Sequence, residues 1–274
     1  MARAIFLIQV SRPILWPVLP LVYWLGMHSA GAKIDWVAAL QMASLSLPLC
    51  LVGYGWNDLW DYESDRHSRR RRYIWGAVLR EQDRPLVWWA CMVTSPLIVA
   101  AACLTRDWLN ISLTAFLVWG TWAYSVPPLR LKEWPPLDSL SNGLGFFLLP
   151  FTLGYSMGAD PRNMGLKYYL LALCVAGVHA LAAAADYDAD KLAGHRTLAV
   201  AYGRRTAVAF ACATFVIAWL LADFHGVAVR VYVAVGALVT LAAAVVPTNR
   251  TIAAACVVVF AGFLVAGACH LCGW

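Results

Sequence analysis

Apolar runs dominate this chain, and they recur at a spacing that long helices and short connections explain. They predict helices near residues 13–27, 36–56, 86–104, 109–125, 139–158, 166–185, 205–223, 227–246 and 251–272. Each run approaches the roughly 20 residues that cross a bilayer. Residues 170–185 and 227–246 are apolar on every face but for His179 and Arg230, whereas barrel strands alternate apolar and polar positions in segments of about ten residues. In lipid, a segment apolar all round satisfies its backbone only as a helix. The pattern predicts an all-α, polytopic membrane protein with nine transmembrane helices, organised as a single domain over residues 1–274. A shorter run at residues 4–10 leads into Ser11-Arg12-Pro13 without a cleavage site. It is expected to lie along the membrane surface and not to act as a signal peptide.

Composition agrees and narrows the classes. The chain is 62% hydrophobic and 13% charged, against about 45–50% and about 25% in soluble domains, which excludes a soluble, disordered or coiled-coil protein. Of the 21 basic residues, sixteen fall in the N-terminal segment and the loops after the second, fourth, sixth and eighth expected helices, counting Arg205 at the very start of the seventh helix with the loop before it. The N-terminus and those loops are therefore expected to be cytoplasmic. The pI near 9.0 then reflects topology, and no nucleic-acid partner is expected. All eight cysteines lie in or beside apolar segments, where cysteine behaves as a small hydrophobe.

The acids are distributed differently. Eleven of the fifteen lie on the expected cytoplasmic side, and seven of those form two strings. The first is Asn57-Asp58-Leu59-Trp60-Asp61-Tyr62-Glu63-Ser64-Asp65 and the second Asp186-Tyr187-Asp188-Ala189-Asp190, each directly after an apolar run. If each helix continues by two turns, Asp58, Asp61 and Asp65 share one face, as do Asp186 and Asp190. Carboxylates stacked on one face need a cation. Oxygen donors of this kind, with the Asn57 carbonyl, suit Mg²⁺, which is typically held by one or two carboxylates together with substrate phosphates. Two such faces could clamp two or three Mg²⁺ ions around a diphosphate. Solvated loop charge would account for one string, but less readily for two.

Basic residues accompany both strings: Arg66, Arg69, Arg70, Arg71 and Arg72 after the first, Lys191 and Arg196 after the second. Guanidinium groups bind phosphate oxygens bidentately. Gly194 and Gly203 bracket Thr197 and suggest a turn. A third polar island, Tyr124-Ser125-Val126-Pro127-Pro128-Leu129-Arg130-Leu131-Lys132, follows the fourth expected helix, and Asp138 and Asn142 open the fifth. The proline pair ends the helix sharply and can turn Arg130 and Lys132 towards one cavity mouth.

With these islands placed, the chain resembles the UbiA superfamily of intramembrane prenyltransferases. The N-D-x-x-D-x-x-x-D motif stands here as Asn57, Asp58, Asp61 and Asp65, the D-x-x-x-D motif as Asp186 and Asp190, and the Y-S-x-P-P-x-R-x-K loop as Tyr124 to Lys132. Finer features resemble the lycopene-elongase branch: Ser11-Arg12-Pro13-Ile14-Leu15-Trp16, Ile34-Asp35-Trp36 and Gly76-Ala77-Val78-Leu79. That branch tends to read N-P-R-K-G-G-x-E-G where this chain has Ser68-Arg69-Arg70-Arg71-Arg72-Tyr73-Ile74-Trp75-Gly76, so Arg70 and Arg71 keep the basic pair alone.

The resemblance implies nine helices around a central cavity opening towards the cytoplasmic side. It implies Mg²⁺ held by Asn57, Asp58, Asp61, Asp65, Asp186 and Asp190, with Asn57, Arg70, Arg71, Arg130, Lys132 and Lys191 on the diphosphate. The aspartates and Tyr124 form the implied catalytic set. The allylic cation left by departing pyrophosphate needs a dry cavity and electron-rich faces; Trp56, Trp60, Trp119, Trp122, Tyr124, Phe146 and Phe147 lie close to the motifs. The cation's fate stays open. Attack by a lipophilic acceptor such as a carotenoid, quinone precursor or aromatic acid makes a prenyltransferase, whereas attack by the chain's own double bonds makes a terpene cyclase without an acceptor. A cation-coupled transporter would place its acids near the bilayer midplane, and here they fall at helix ends beside arginines.

Overall fold

The computed structural model describes residues 2–62, 76–224 and 226–273, and among them no strand is present. In chain order the helices are α1 (Ala2–Val10), α2 (Val18–Ser29), α3 (Trp36–Leu45), α4 (Leu47–Trp60), α5 (Arg84–Cys103), α6 (Trp108–Ser125) and α7 (Leu137–Gly143). They continue with α8 (Leu149–Tyr155), α9 (Leu166–Ala185), α10 (Tyr187–Leu192), α11 (Leu198–Tyr202), α12 (Arg204–Leu221), α13 (Val227–Val245) and α14 (Asn249–Leu271). A π-helical turn, Leu144–Leu148, joins α7 to α8.

Six helical stretches among the described residues are long and apolar enough to cross a membrane: Trp36–Trp60, Glu81–Cys103, Leu166–Ala185, Arg204–Leu221, Val227–Val245 and Asn249–Leu271. Arg3–Val10 and Pro13–Ser29, bent by 51° at the break between them, make a seventh if they form one span. The runs expected to cross at 109–125 and 139–158 are helical as well, but they do not stand among these. The first carries the buried polar residues Asn110 and Thr114, and the second is interrupted by the π turn. The run at 36–56 is also broken, at Ser46, because Pro48 opens α4. A proline lacks the N–H that would continue the ladder and its ring crowds the carbonyl four residues back.

The chain forms two compact units, Met1–Arg130 with Leu149–Ala159, and Leu131–Leu148 with Asp160–Trp274. In the first, α2 and α8 approach backbone to backbone. A Cβ on Gly26 would strike the Phe151 carbonyl, and one on Gly154 would strike the carbonyl of Tyr23. Small residues at such crossings are the usual device in membranes, where packing and not water exclusion holds helices together. A buried polar chain then fixes their register. Tyr23 Oη donates to Gln41 Oε1 (2.7 Å), and Gln41 Nε2 donates to Asn110 Oδ1 (2.6 Å) and Thr114 Oγ1 (3.3 Å). Asn110 Nδ2 in turn donates to the Leu153 carbonyl (3.1 Å) and Ser156 Oγ (2.9 Å). Each bond contributes about 1 kcal/mol net, but an unpaired buried amide costs about 1–3 kcal/mol, so a slipped register is penalised at several points together.

The second unit is built on α9. Gly143 of α7 lies against the Ala172 carbonyl and Gly177 against Thr214 of α12. Edge-on aromatic contacts link Phe147 to Phe263 (6.1 Å between centroids), Phe263 to Tyr232 (6.2 Å) and Tyr232 to Phe215 (5.7 Å). These separations lie in the range where the ring edge of one aromatic meets the face of the next. Phe215 fits over the bare Cα of Gly236.

Candidate active site

In the first unit the acids stand on the last two turns of α4. Tyr54, Asn57, Asp58 and Asp61 are spaced i, i+3, i+4 and i+7, one stripe of the helix. The helix stops at Asp61, whose N–H still reaches the Asn57 carbonyl at 2.9 Å. Asp58 is 1% exposed and Asp61 6%, depths at which an uncompensated carboxylate is costly. Each has a guanidinium beside it. Arg12 Nη2 lies 3.1 Å from Asp58 Oδ1, and Arg130 Nη2 lies 3.2 Å from Asp61 Oδ1. Breaking such a buried pair by removing one partner costs about 3–5 kcal/mol.

Both arginines are delivered by unusual backbone. Arg12, Arg106 and Arg130 are the described non-glycine residues with positive φ, at 52°, 57° and 39°. A left-handed residue with a Cβ costs about 1–2 kcal/mol and persists where its surroundings over-determine it. Around Arg12 they do. Fully buried Ser11 donates to the Ile8 carbonyl (2.7 Å) and accepts from Trp16 Nε1 (3.0 Å), while Ser46 Oγ donates to the Trp16 carbonyl (3.1 Å). Pro13 opens the 3₁₀ turn that follows. Tyr124 is half-buried in the last turn of α6, and the helix ends at Ser125 ahead of the proline pair, as its sequence predicts.

In the second unit the second acid string continues from the end of α9. Asp186 caps that helix and α10 restarts at once, with Asp190 N donating to the Asp186 carbonyl at 2.9 Å. Asp186 and Asp190 therefore share a face, and both are half-buried. Asp190 Oδ2 accepts from Thr197 Oγ1 at 3.4 Å. Asp188 is used differently: Arg204 Nη2 donates to its Oδ2 at 2.9 Å. Lys191 is exposed, with Nζ 5.8 Å from the Tyr187 ring centre, and Lys132 is buried. The turn expected at Gly194 and Gly203 is present, with φ of 76° and 95° and the short helix α11 between them.

Asp138 holds that turn. It is fully buried, and its Oδ2 accepts from the Leu198 N–H at 2.7 Å. Asp138 stands just ahead of the run expected to span at 139–158. Burial pushes its carboxyl above the ordinary aspartate range, partly offset by the Leu198 N–H and by Ser139. The sequence shows Asp138 only as a polar residue opening the fifth expected helix, and Arg12 only within the Ser11–Trp16 stretch directly before Pro13; it gives neither a place at the site.

Asp65, Arg70 and Arg71 lie outside the described residues. Among the described residues no three His, Cys, Asp or Glu side chains gather as a metal cage. The donor chemistry nevertheless fits Mg²⁺. Asn57, Asp58 and Asp61 offer only oxygen, Asp186 and Asp190 likewise, and this ion takes one or two carboxylates with phosphate oxygens completing its shell. Cationic Arg12 already sits against the Asn57 and Asp58 oxygens, at 3.5 and 3.1 Å.

The family model of the UbiA prenyltransferase family matches residues 15–267. A lycopene elongase/hydratase from Corynebacterium glutamicum is 29% identical over 237 residues, 81% of this chain and 80% of that protein. A lycopene elongase/hydratase from Halobacterium salinarum is 33% identical over 229 residues, 79% and 76% of the two chains. The fold is similar to that of a UbiA homolog from Archaeoglobus fulgidus solved with GPP and Mg²⁺, with a TM-score of 0.66, 21% identity, and coverage of 95% of this chain and 97% of that one.

Proposed function

Since this chain belongs to the UbiA prenyltransferase family and is a UbiA-type intramembrane prenyltransferase, we propose that it ionises an allylic prenyl diphosphate with Mg²⁺ and transfers the prenyl group to a lipophilic, carotenoid-like acceptor. The observation that carries this reading is the stripe of oxygen donors on α4, buried and held by guanidinium groups, in a chain with lycopene elongase/hydratases among its relatives. Mg²⁺, when bound, supplies positive charge to the diphosphate oxygens. Asn57, Asp58, Asp61, Asp65, Asp186 and Asp190 hold it, and Asn57, Arg70, Arg71, Arg130, Lys132 and Lys191 bind the diphosphate. The C1–O bond breaks with its electron pair leaving on pyrophosphate. The acceptor's double bond then attacks C1, and the resulting cation loses a proton or takes up water. Tyr124 belongs to the catalytic set, aromatic rings near the motifs offer electron-rich faces to the allylic cation, and the apolar helices keep water from it. The excess of basic residues in the motif loops supports a cytoplasmic position for them.

The test is pyrophosphate release and product identity with dimethylallyl, geranyl, farnesyl and geranylgeranyl diphosphates, each with and without lycopene. Mg²⁺-dependent release with a C–C-linked lycopene adduct is expected, and loss of a carboxylate ligand in Asp61→Ala or Asp190→Ala should lower the rate at least about a hundredfold. A cyclic hydrocarbon formed without acceptor would replace transfer by cyclisation. Full activity in both variants would remove the aspartates from the metal site.

A further inference from the structure

The cation at Asp58 belongs to the protein itself. Arg12 comes from the break between α1 and α2, outside the three motifs, and meets one face of α4 three times. Its Nη2 lies 3.1 Å from Asp58 Oδ1 and 3.5 Å from Asn57 Oδ1, and its guanidinium carbon lies 4.1 Å over the Tyr54 ring. Arg12 is 19% exposed and Asp58 is 1% exposed at the side chain, so the pair is shielded and not an ornament of the surface. Its left-handed backbone is pinned by Ser11, Trp16 and Ser46. Arg130 repeats the arrangement at Asp61, again from a residue with positive φ.

Resting on the metal–diphosphate reading above, we propose that Arg12 is a positioning residue that couples metal loading to substrate. It occupies the Asn57 and Asp58 oxygens in the metal-free protein and yields them only when a diphosphate is present to receive its guanidinium. The physical grounds are competition and compensation. The two oxygens nearest Arg12 Nη2 are those that a hard cation would use. A divalent ion arriving alone must displace a guanidinium that then loses its carboxylate partner at a partly desolvated position, which is unfavourable. A diphosphate offers that guanidinium two oxygens in the planar geometry it prefers. Metal alone therefore binds weakly, and metal with diphosphate binds well. The free enzyme keeps Asp58 oriented without holding a metal.

Full-length protein in lipid nanodiscs, titrated with Mn²⁺ as an EPR-visible probe, alone and with inorganic pyrophosphate, tests this. In the wild type, pyrophosphate should tighten Mn²⁺ binding strongly. Arg12→Gln should bind Mn²⁺ alone about tenfold tighter than wild type, the size of one charge-assisted contact, and gain less from pyrophosphate. Tyr54→Leu, which keeps the charge but removes the ring beneath it, should shift in the same direction by less and serves if Arg12→Gln loses its thermal unfolding transition. Mn²⁺ binding in both variants no tighter than in wild type overturns the coupling. The metal reading survives that result if Asp58→Asn weakens Mn²⁺ binding in the presence of pyrophosphate. A wild type that binds no Mn²⁺ even with pyrophosphate overturns both.

Discussion

Asp138 shows how much a single buried oxygen can decide. Its Oδ2 is the acceptor for the Leu198 N–H at the start of α11, the short helix that follows the second acid string. Asp138→Ala leaves that donor without a partner and should lower stability by about 1–3 kcal/mol, whereas Asp138→Asn keeps a carbonyl acceptor and should cost less. The two changes also separate in pH. Burial raises the Asp138 carboxyl above the ordinary aspartate range, so the folded state favours the protonated form. That stability is fully present below the unfolded aspartate value and is lost as pH rises through the raised folded value. Thermal unfolding in detergent, followed by tryptophan fluorescence across that window, should show the wild type losing stability with pH and Asp138→Asn not doing so. A flat wild-type profile would mean that the carboxyl is ionised in the fold without cost.

Between elements, the deciding contacts are close approaches of backbone. Gly26 and Gly120 are both helical glycines of the first unit, and intrinsic propensity treats them alike: alanine is better in a helix by about 1 kcal/mol. Their surroundings are opposite. A Cβ on Gly120 meets nothing within 4 Å, whereas one on Gly26 strikes the Phe151 carbonyl, which no rotamer can move aside. Gly120→Ala should therefore hold or raise stability by up to about 1 kcal/mol, and Gly26→Ala should lower it by about 1–3 kcal/mol as α2 and α8 are forced apart. The same contrast marks what the sequence makes legible. Apolar runs place the helices because lipid leaves the backbone no other way to satisfy itself, and Pro127-Pro128 announces the end of α6 through chemistry local to the chain. The break at Ser46 was foreseeable from Pro48 by the same rule. The π turn at 144–148 and the facing of Gly26 with Phe151 depend on helices distant in sequence, and no local pattern encodes them. At the candidate site the acids were legible because four-residue spacing is a property of one helix. The pairing of Arg12 with Asp58 closes a loop of 46 residues, and so remained hidden until the chain was folded.

At the scale of the molecule, the distribution of charge makes a claim about topology that the helices can be made to answer. The loops after the second, fourth, sixth and eighth expected helices carry most of the basic residues, and a consistent inside requires every intervening segment to cross. Among the described residues six stretches are long and apolar enough on their own terms, or seven with the bent pair; α6 and the interrupted run from α7 to α8 are the segments whose crossing rests on charge bias and family membership. Their polar residues do not forbid it. In α6, Asn110 spends its amide hydrogens on Leu153 and Ser156, and a polar side chain satisfied inside the protein costs a span far less than one facing lipid. The sharpest place to probe is the pair of connections flanking α7 to α8. Trp134, before α7, is 60% exposed, and Arg162, in the 3₁₀ turn Pro161–Asn163 after α8, has a side chain 88% exposed. In a background with the native cysteines replaced by alanine, Trp134→Cys should react with a membrane-impermeant maleimide only from the cytoplasmic face, and Arg162→Cys only from the opposite face. Cysteines that label from the same face would show that residues 139–158 turn back without crossing. The basic loop before α7 and the turn after α8 would then share one side, and the nine-span reading would fail at that segment.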